Sequence, residues 1–327
     1  MSTQELLAKE KISKLLLKYS VPAIIGMLVN ALYNVVDRIF IGNIPEVGSL
    51  AITGVGVTLP ITTIVLGFCM LVGIGATTTI SIKLGQGKRE EAEKVIGNAI
   101  TLSVIIAIIL TVIGIVFGES ILTKFGASES SLYYAKSYIY IILLGTVFNM
   151  VAFTLNNTIR GDGNPKLAAT IMIIGCLTNI VLDAVFIFIF KMGIQGAAVA
   201  TIISQLITAI IGVRYYVSGK SNLRFFKSNL KLNKDIIIKI LAIGASPFAM
   251  QMAASLVQVI ANNVLKIYGT DIAIGAMDTI SSIALMCLMP IFGINQGAQP
   301  IIGFNYGAKQ EKRAQEAYKL SLIVATI

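Results

Sequence analysis

Long apolar blocks recur along this chain and constrain its fold more than any other feature. Each block runs for about 18 to 25 residues, the length that a helix needs to cross the hydrocarbon core of a bilayer. Hydrophobic residues make up 56% of the 327-residue sequence and charged residues only 13%, about half the charged fraction of a soluble domain. Alternating segments of about 10 residues, which would indicate a membrane β-barrel, do not occur. The blocks therefore predict an all-α, polytopic membrane protein.

Eight complete spans and the start of a ninth can be placed from these blocks. Their approximate bounds are 18–41, 51–80, 97–117, 137–159, 167–190, 194–217, 236–265 and 271–303, and the ninth span begins near residue 316. Of the 26 Lys and Arg residues, 21 fall in the N-terminal tail and in the loops on the same side, against 5 on the other side. The positive-inside rule therefore places the N-terminus in the cytoplasm.

The net charge of +10 follows from this loop asymmetry and requires no nucleic-acid partner. We expect the lipid bilayer and small molecules as partners, and a monomer. The chain contains no His, so proton handling near neutral pH would fall to a carboxylate. No nucleophile–base pair and no metal-ligand spacing of Cys or His is present, so we do not expect an enzyme or a bound cofactor.

The chain resembles itself at an offset near 222 residues. The segment Gly73–Ala92 aligns with Asn295–Ala314, and Pro22 falls opposite Pro247. Both units enter the membrane from the cytoplasm, which predicts parallel repeats related by an axis along the membrane normal. We therefore divide the chain into an N-terminal lobe of six spans (1–218), a basic cytoplasmic linker (219–235) and part of a second lobe (236–327). A complete second repeat would bring the length to about 445 residues, so a fragment is expected.

Two carboxylates lie inside the predicted spans, at similar depth. Helix rise places Asp37 about 28 Å and Asp183 about 24 Å from the cytoplasmic face, and Thr201 about 10 Å below the outer face. Asn179 precedes Asp183 by four residues and shares its helix face. Asp37, Asn179, Asp183 and Thr201 are therefore expected to converge in one cavity of the N-terminal lobe.

These four side chains offer oxygen ligands that suit Na⁺. Two nearby carboxylates in a low dielectric also resist ionising together, so the same group can hold a proton instead. A purely structural interpretation stays open, in which Asp37 pairs with Arg38 at the interface and Asp183 is satisfied by Asn179. Asp278, near the outer end of its span, is predicted to be an interfacial acid.

Four further polar residues are weaker candidates for a substrate or cation path. Gln251, Gln258 and Asn262 lie on the seventh predicted span. Asn156 lies near the cytoplasmic end of the fourth span, where capping of the helix end is the alternative explanation.

Several motifs together resemble the multidrug and toxic compound extrusion (MATE) family, in its branch of bacterial multidrug export proteins. They are SVPAIIGMLVNALYNVVDRIFIGN at 20–43, IKLGQGKREEAEKVIGNA at 82–99, IRGDGNPKLA at 159–168, TNIVLDAVFIF at 178–188, GIQGAAVATIISQ at 193–205 and GINQGAQPIIGFNYGAKQ at 293–310. The resemblance implies a transporter of two six-helix lobes that exports cationic amphipathic compounds in exchange for Na⁺ or H⁺. It also implies Asp37, Asn179, Asp183 and Thr201 as the cation site, with Asn156 as a further position in some relatives.

Two other functions remain as alternatives. One is a flippase for lipid-linked sugars, which would favour a more cationic cavity than the embedded acids of this chain provide. The other is a truncated membrane protein that does not transport.

Overall fold

The structure consists of helices that run back and forth across one bundle. The computed structural model describes residues 3–219, 221–269 and 271–326; Lys220 of the predicted linker lies outside them. Within this part of the chain no strand occurs. The α-helices are α1 (Thr3–Lys9), α2 (Ile12–Gly42), α3 (Gly48–Gly85), α4 (Arg89–Lys124), α5 (Glu129–Leu144), α6 (Thr146–Gly161), α7 (Pro165–Ala184), α8 (Gly193–Val217), α9 (Lys234–Tyr268), α10 (Asp271–Gly307) and α11 (Glu311–Thr326).

Seven of these helices are long and apolar enough to cross a membrane, and the pair α5–α6 supplies an eighth span. The expected all-α polytopic membrane fold is therefore confirmed. The surface of α4 shows the environment it is suited to, because Ile109, Val112 and Val116 are each more than half exposed along one helix. Such an apolar outer face is stable against lipid and unfavourable in water.

The fourth span differs from its prediction as a continuous helix. It is broken at Gly145, where α5 and α6 meet at an angle of 55°. A Cβ atom on Gly145 would lie 2.3 Å from the Ile202 side chain of α8. Only a residue without a side chain lets α8 pack this closely against the bend, which explains why glycine occupies the break.

The two sequence repeats meet where α3 lies against α10. A Cβ on Gly56 would lie 3.3 Å from Asp278 Cβ, and a Cβ on Gly303 would lie 3.0 Å from Ser81 Cβ. The members of each pair are separated by 222 residues, so each residue contacts its own repeat equivalent. Equivalent residues touch only near the axis that relates two repeats. The axis of a parallel pair therefore passes between α3 and α10.

The segment between α8 and α9 is anchored to the bundle by a buried carboxylate. Asp162, in the loop between α6 and α7, accepts hydrogen bonds from Tyr215 Oη at 2.6 Å, from the Asn222 N–H at 2.9 Å and from the Leu223 N–H at 3.0 Å. Burial raises the pKa of Asp162 to about 6, against the opposing effect of these hydrogen bonds. The Asp162 carboxylate thus anchors the start of the linker, and this burial removes the carboxylate from water, which disfavours its charged form.

This raised pKa predicts that the linker is anchored more tightly in acid. When the linker detaches from the bundle, Asp162 is no longer buried and its pKa returns to about 3.8. Between about pH 4 and pH 6 the anchored state therefore holds a proton that the released state has lost. Anchoring should weaken by up to about 3 kcal/mol as the pH rises through this window and stay constant above it. Limited proteolysis of the linker measures this change.

Asp162→Asn is the control, because its neutral side chain does not titrate. The cleavage rate of the wild-type protein divided by that of this variant cancels the protease's own pH dependence. We expect the ratio to rise between pH 4 and pH 6, and a ratio that is flat or falls would contradict the prediction.

Candidate cation site

Three of the predicted site residues are in contact between α7 and α8. Asn179 and Asp183 lie one turn apart on α7, and both are buried. In the amide orientation that satisfies both ends of its side chain, Asn179 Nδ2 donates to Asp183 Oδ2 at 3.2 Å. Its Oδ1 then accepts from the Thr201 N–H at 3.2 Å. The Thr201 hydroxyl lies 3.4 Å from the same amide group.

The helix changes pitch directly after Asp183. α7 ends at Ala184, and Val185–Ile189 form a single π-helical turn. Such π turns leave backbone groups with altered geometry and occur frequently at functional sites. Asp183 therefore sits next to a local irregularity of the span, although the sequence pattern predicted a uniform helix to residue 190.

Asp37 reaches the same region from α2. It is 4% exposed, and its Oδ2 accepts from Arg38 Nη1 at 2.9 Å. Asp37 and Asp183 are close enough to interact electrostatically. All four residues of the predicted site thus lie in one part of the N-terminal lobe, contributed by α2, α7 and α8.

Asp278 also belongs to this region, and its prediction as an interfacial acid is wrong. Its side chain is fully buried, and its Oδ2 lies 2.7 Å from Arg38 Nε. The guanidinium of Arg38 is thus shared by Asp37 of the first repeat and Asp278 of the second. Asp278 can be buried here because its repeat equivalent on α3 is Gly56, whose missing side chain leaves room for the carboxylate.

The charges of this cluster do not balance. Arg38 pairs with Asp37 and Asp278, and Asp183 interacts with Asp37. Among the described residues the three carboxylates thus share one guanidinium, and full ionisation would leave an excess of two negative charges. Asp37 Oδ1 and Asp183 Oδ1 are both buried without a hydrogen-bond partner. The contacts of the purely structural interpretation do form, but they leave one oxygen of each acid unsatisfied. Buried carboxylate oxygens are costly without a donor or a cation.

Tyr138 of α5 lies near the charged residues of the site and was not predicted from the sequence. It is 7% exposed and interacts electrostatically with Asp37, Arg38 and Asp183. No sequence signal indicates this position, because the periodicity does not show how α5 is oriented before the bend at Gly145.

The four candidates for a substrate path lie in two places. Asn156 is buried, donates to the Ala168 carbonyl at 2.7 Å and accepts from Arg160. The other three lie on α9 against α3. Gln258 Oε1 accepts from Thr63 Oγ1 at 2.9 Å, Asn262 Nδ2 donates to the Gly56 carbonyl at 3.4 Å, and Gln251 packs over Gly67. These three side chains line the contact between the repeats.

A sodium ion or a proton suits the acid cluster chemically. A small hard cation takes carboxylate, amide and hydroxyl oxygens as ligands, and all three occur here. Among the described residues no group of three or more His, Cys, Asp or Glu side chains is placed to hold a metal ion. Any cation would therefore draw on Asp37, Asp183 and neutral oxygens such as those of Asn179 and Thr201.

Comparison with known proteins supplies the family context. The MatE family model matches residues 22–185 and 247–327. The multidrug export protein MepA of Staphylococcus haemolyticus is 27% identical over 315 residues, which are 96% of this chain and 69% of the relative.

Solved structures give the same result at the level of the fold. The MATE multidrug transporter DinF-BH, solved in complex with a ligand, is 39% identical with a TM-score of 0.92, over 97% of this chain and 71% of that one. An outward-facing MATE family transporter of the MOP superfamily is 23% identical with a TM-score of 0.89, over 99% of this chain and 71% of that one.

Proposed function

This chain belongs to the MatE family of multidrug transporters, and we propose that it exports cationic amphipathic compounds in exchange for Na⁺ or H⁺. The proposal places it in a bacterial cytoplasmic membrane with its N-terminus in the cytoplasm. The named relatives support export of drugs, since MepA is a multidrug export protein and DinF-BH is a multidrug transporter.

The observation that carries the proposal is the unbalanced charge of the acid cluster. A membrane interior penalises each uncompensated charge by several kcal/mol, so embedded carboxylates face a partner or a transported ion. Arg38 compensates one charge, while Asp37 Oδ1 and Asp183 Oδ1 have no partner. A cation that enters from outside would satisfy both oxygens and leave again when the site opens to the cytoplasm.

Exchange follows if the cation and the exported compound exclude each other. A cationic drug and Na⁺ or H⁺ would compete for the same negative charge, so binding one lowers the affinity for the other. Asp37 lies on α2, which also carries Pro22 inside the helix and Gly26 packed against Met172 of α7. A proline removes one backbone hydrogen bond, so α2 can bend at this point when the occupant changes.

The lipid-linked sugar flippase is less favoured, because a pyrophosphate needs cations where this cluster presents carboxylates. One efflux experiment decides between them. Bacteria without their own efflux pumps would express this chain, and efflux of ethidium would be followed under an imposed Na⁺ or pH gradient. Export that depends on one gradient supports the proposal and identifies the ion. Well-expressed protein that exports no cationic dye under either gradient would refute it.

A further inference from the structure

A buried arginine without a carboxylate partner lies at the end of α6. Arg160 is 2% exposed, and among the described residues no acidic side chain forms an ion pair with it. The adjacent Asp162 does not compensate it, because that carboxylate is held by Tyr215 and by the backbone of the linker. Burial of an uncompensated charge costs several kcal/mol, so this guanidinium requires an explanation.

Within the part of the chain that the structure describes, the side-chain acceptors of Arg160 are all neutral amides. Arg160 donates to the side-chain oxygens of Asn156, Asn157 and Gln296, the second at 3.3 Å. Its Nε is buried and has no partner. Amide oxygens carry only partial charge, so this ring of acceptors orients the guanidinium without neutralising it. The site is short of one negative group.

One of the three acceptors comes from the other repeat. Asn156 and Asn157 lie on α6 beside Arg160, whereas Gln296 lies on α10. Gln296 is partly exposed, while the two asparagines are buried. Gln296 is therefore the least buried of the three acceptors, and movement of α10 away from α6 would free the donor that Gln296 now occupies.

We propose that Arg160 binds an oxyanion, a carboxylate or a phosphate group, in place of the Gln296 amide oxygen. The planar guanidinium fork fits such groups in shape and charge, and charge-assisted hydrogen bonds are about twice as strong as neutral ones. The site lies between the repeats and not on the lipid-facing surface. This favours the carboxylate of a transported compound, and in this the inference rests on the proposed export function. A lipid phosphate shares the same chemistry.

Two forms of one dye test the proposal by binding alone. Rhodamine 6G is an ethyl ester, and hydrolysis of the ester gives a free carboxylic acid with the same ring system. Their binding to purified protein in detergent would be measured by fluorescence polarisation. Arg160→Gln should shift the ratio of the two dissociation constants in favour of the ester by about tenfold or more, because a charge-assisted hydrogen bond is lost.

Two further variants sharpen the test. Lys166→Gln removes the same charge from an exposed side chain of the neighbouring loop and should leave the ratio unchanged. Gln296→Ala removes the competing amide and should tighten binding of the acid form, which keeps the proposal testable if Arg160→Gln does not fold. If Arg160→Gln weakened the binding of both dyes equally, the proposal would be overturned, and Arg160 would have only a structural role in the contact between the repeats.

Competition identifies the source of the oxyanion. Displacement of the acid dye by benzoate assigns the site to a substrate carboxylate, and displacement only by short-chain phosphatidic acid assigns it to a lipid phosphate. Failure of every anion to compete, with an unchanged ratio, would overturn the proposal. These measurements need no transport, so they stay informative even if ethidium efflux fails.

Discussion

Replacement of Asp183 by Asn should abolish efflux driven by a cation gradient. The change keeps the size of a fully buried side chain and removes only its charge. Without that charge the excess of carboxylates falls, and the cation loses one of its two principal ligands. Loss of a buried ion-pair partner costs about 3 kcal/mol or more, so affinity for the coupling cation should fall about a hundredfold.

The measurement is ethidium efflux under an imposed Na⁺ or pH gradient, normalised to the amount of protein in the membrane. Asp37→Asn should have a similar effect, because both acids supply a carboxylate oxygen that has no other partner. The double variant should be no worse than either single one if the two acids act as a unit. Asp235→Asn is the matched control, since that acid is exposed at the start of α9.

Normal efflux by both single variants would make the two acids structural. It would also remove the main support for cation exchange at this site, because the neutral side chains around them cannot replace two charges. Asp278 of the second repeat would then be the next carboxylate to examine.

The spans and the contacts within one helix could be predicted from the sequence. Length and hydropathy set the spans, and the four-residue spacing of Asn179 and Asp183 fixes their contact on α7. Depth along the membrane normal brought Asp37 and Thr201 to the same level. These features depend on helix rise and pitch, which are nearly constant from one protein to another.

The contacts between helices could not be predicted in this way. The depth of a residue in the membrane does not show which way its side chain points around the helix axis. The sequence therefore predicted Asp278 as an interfacial acid, whereas its side chain points to Arg38. The break at Gly145 and the role of Tyr138 depend on how α5 and α8 pack. Arg160 directly follows the fourth predicted span, which ends at residue 159, and its contact with Gln296 of the other repeat carries no sequence signal.

One signal for Asp278 was present in the sequence. The repeat offset aligns it with Gly56, and residues near a two-fold axis contact their own equivalents. A glycine opposite an acid at such a position makes room for the larger side chain. The same reasoning applies to Ser81 and Gly303, where the smaller residue is in the second repeat.

Arg38→Gln should destabilise the protein more than any other single change in the acid cluster. The variant would leave Asp37 and Asp278 buried without the cation that pairs with both, next to the further charge of Asp183. Removal of one partner from a buried ion pair costs about 3–5 kcal/mol. Thermal unfolding of the purified protein in detergent should therefore begin at a clearly lower temperature. Asp278→Asn should be milder, because it reduces the charge excess while leaving Arg38 paired with Asp37.

A double-mutant cycle isolates the bond between the repeats. Combining Arg38→Gln with Asp278→Asn should recover part of the stability lost in Arg38→Gln alone, since the double variant holds one carboxylate fewer. We expect a coupling of about 1–3 kcal/mol between the two positions. Strict additivity would contradict a direct interaction at the 2.7 Å separation of Arg38 Nε and Asp278 Oδ2.

The guanidinium of Arg38 links the candidate cation site to the second repeat, and this link has a consequence for transport. Asp37 belongs to the candidate cation site and Asp278 to the second repeat, and Arg38 interacts with both. A cation that neutralises Asp37 weakens its attraction for Arg38 and leaves the guanidinium to Asp278. Occupancy in the first repeat would thus change the strength of a contact with the second. Asp278→Asn should accordingly reduce the stabilisation that saturating cation gives to the wild-type protein, while Asp235→Asn should leave it unchanged.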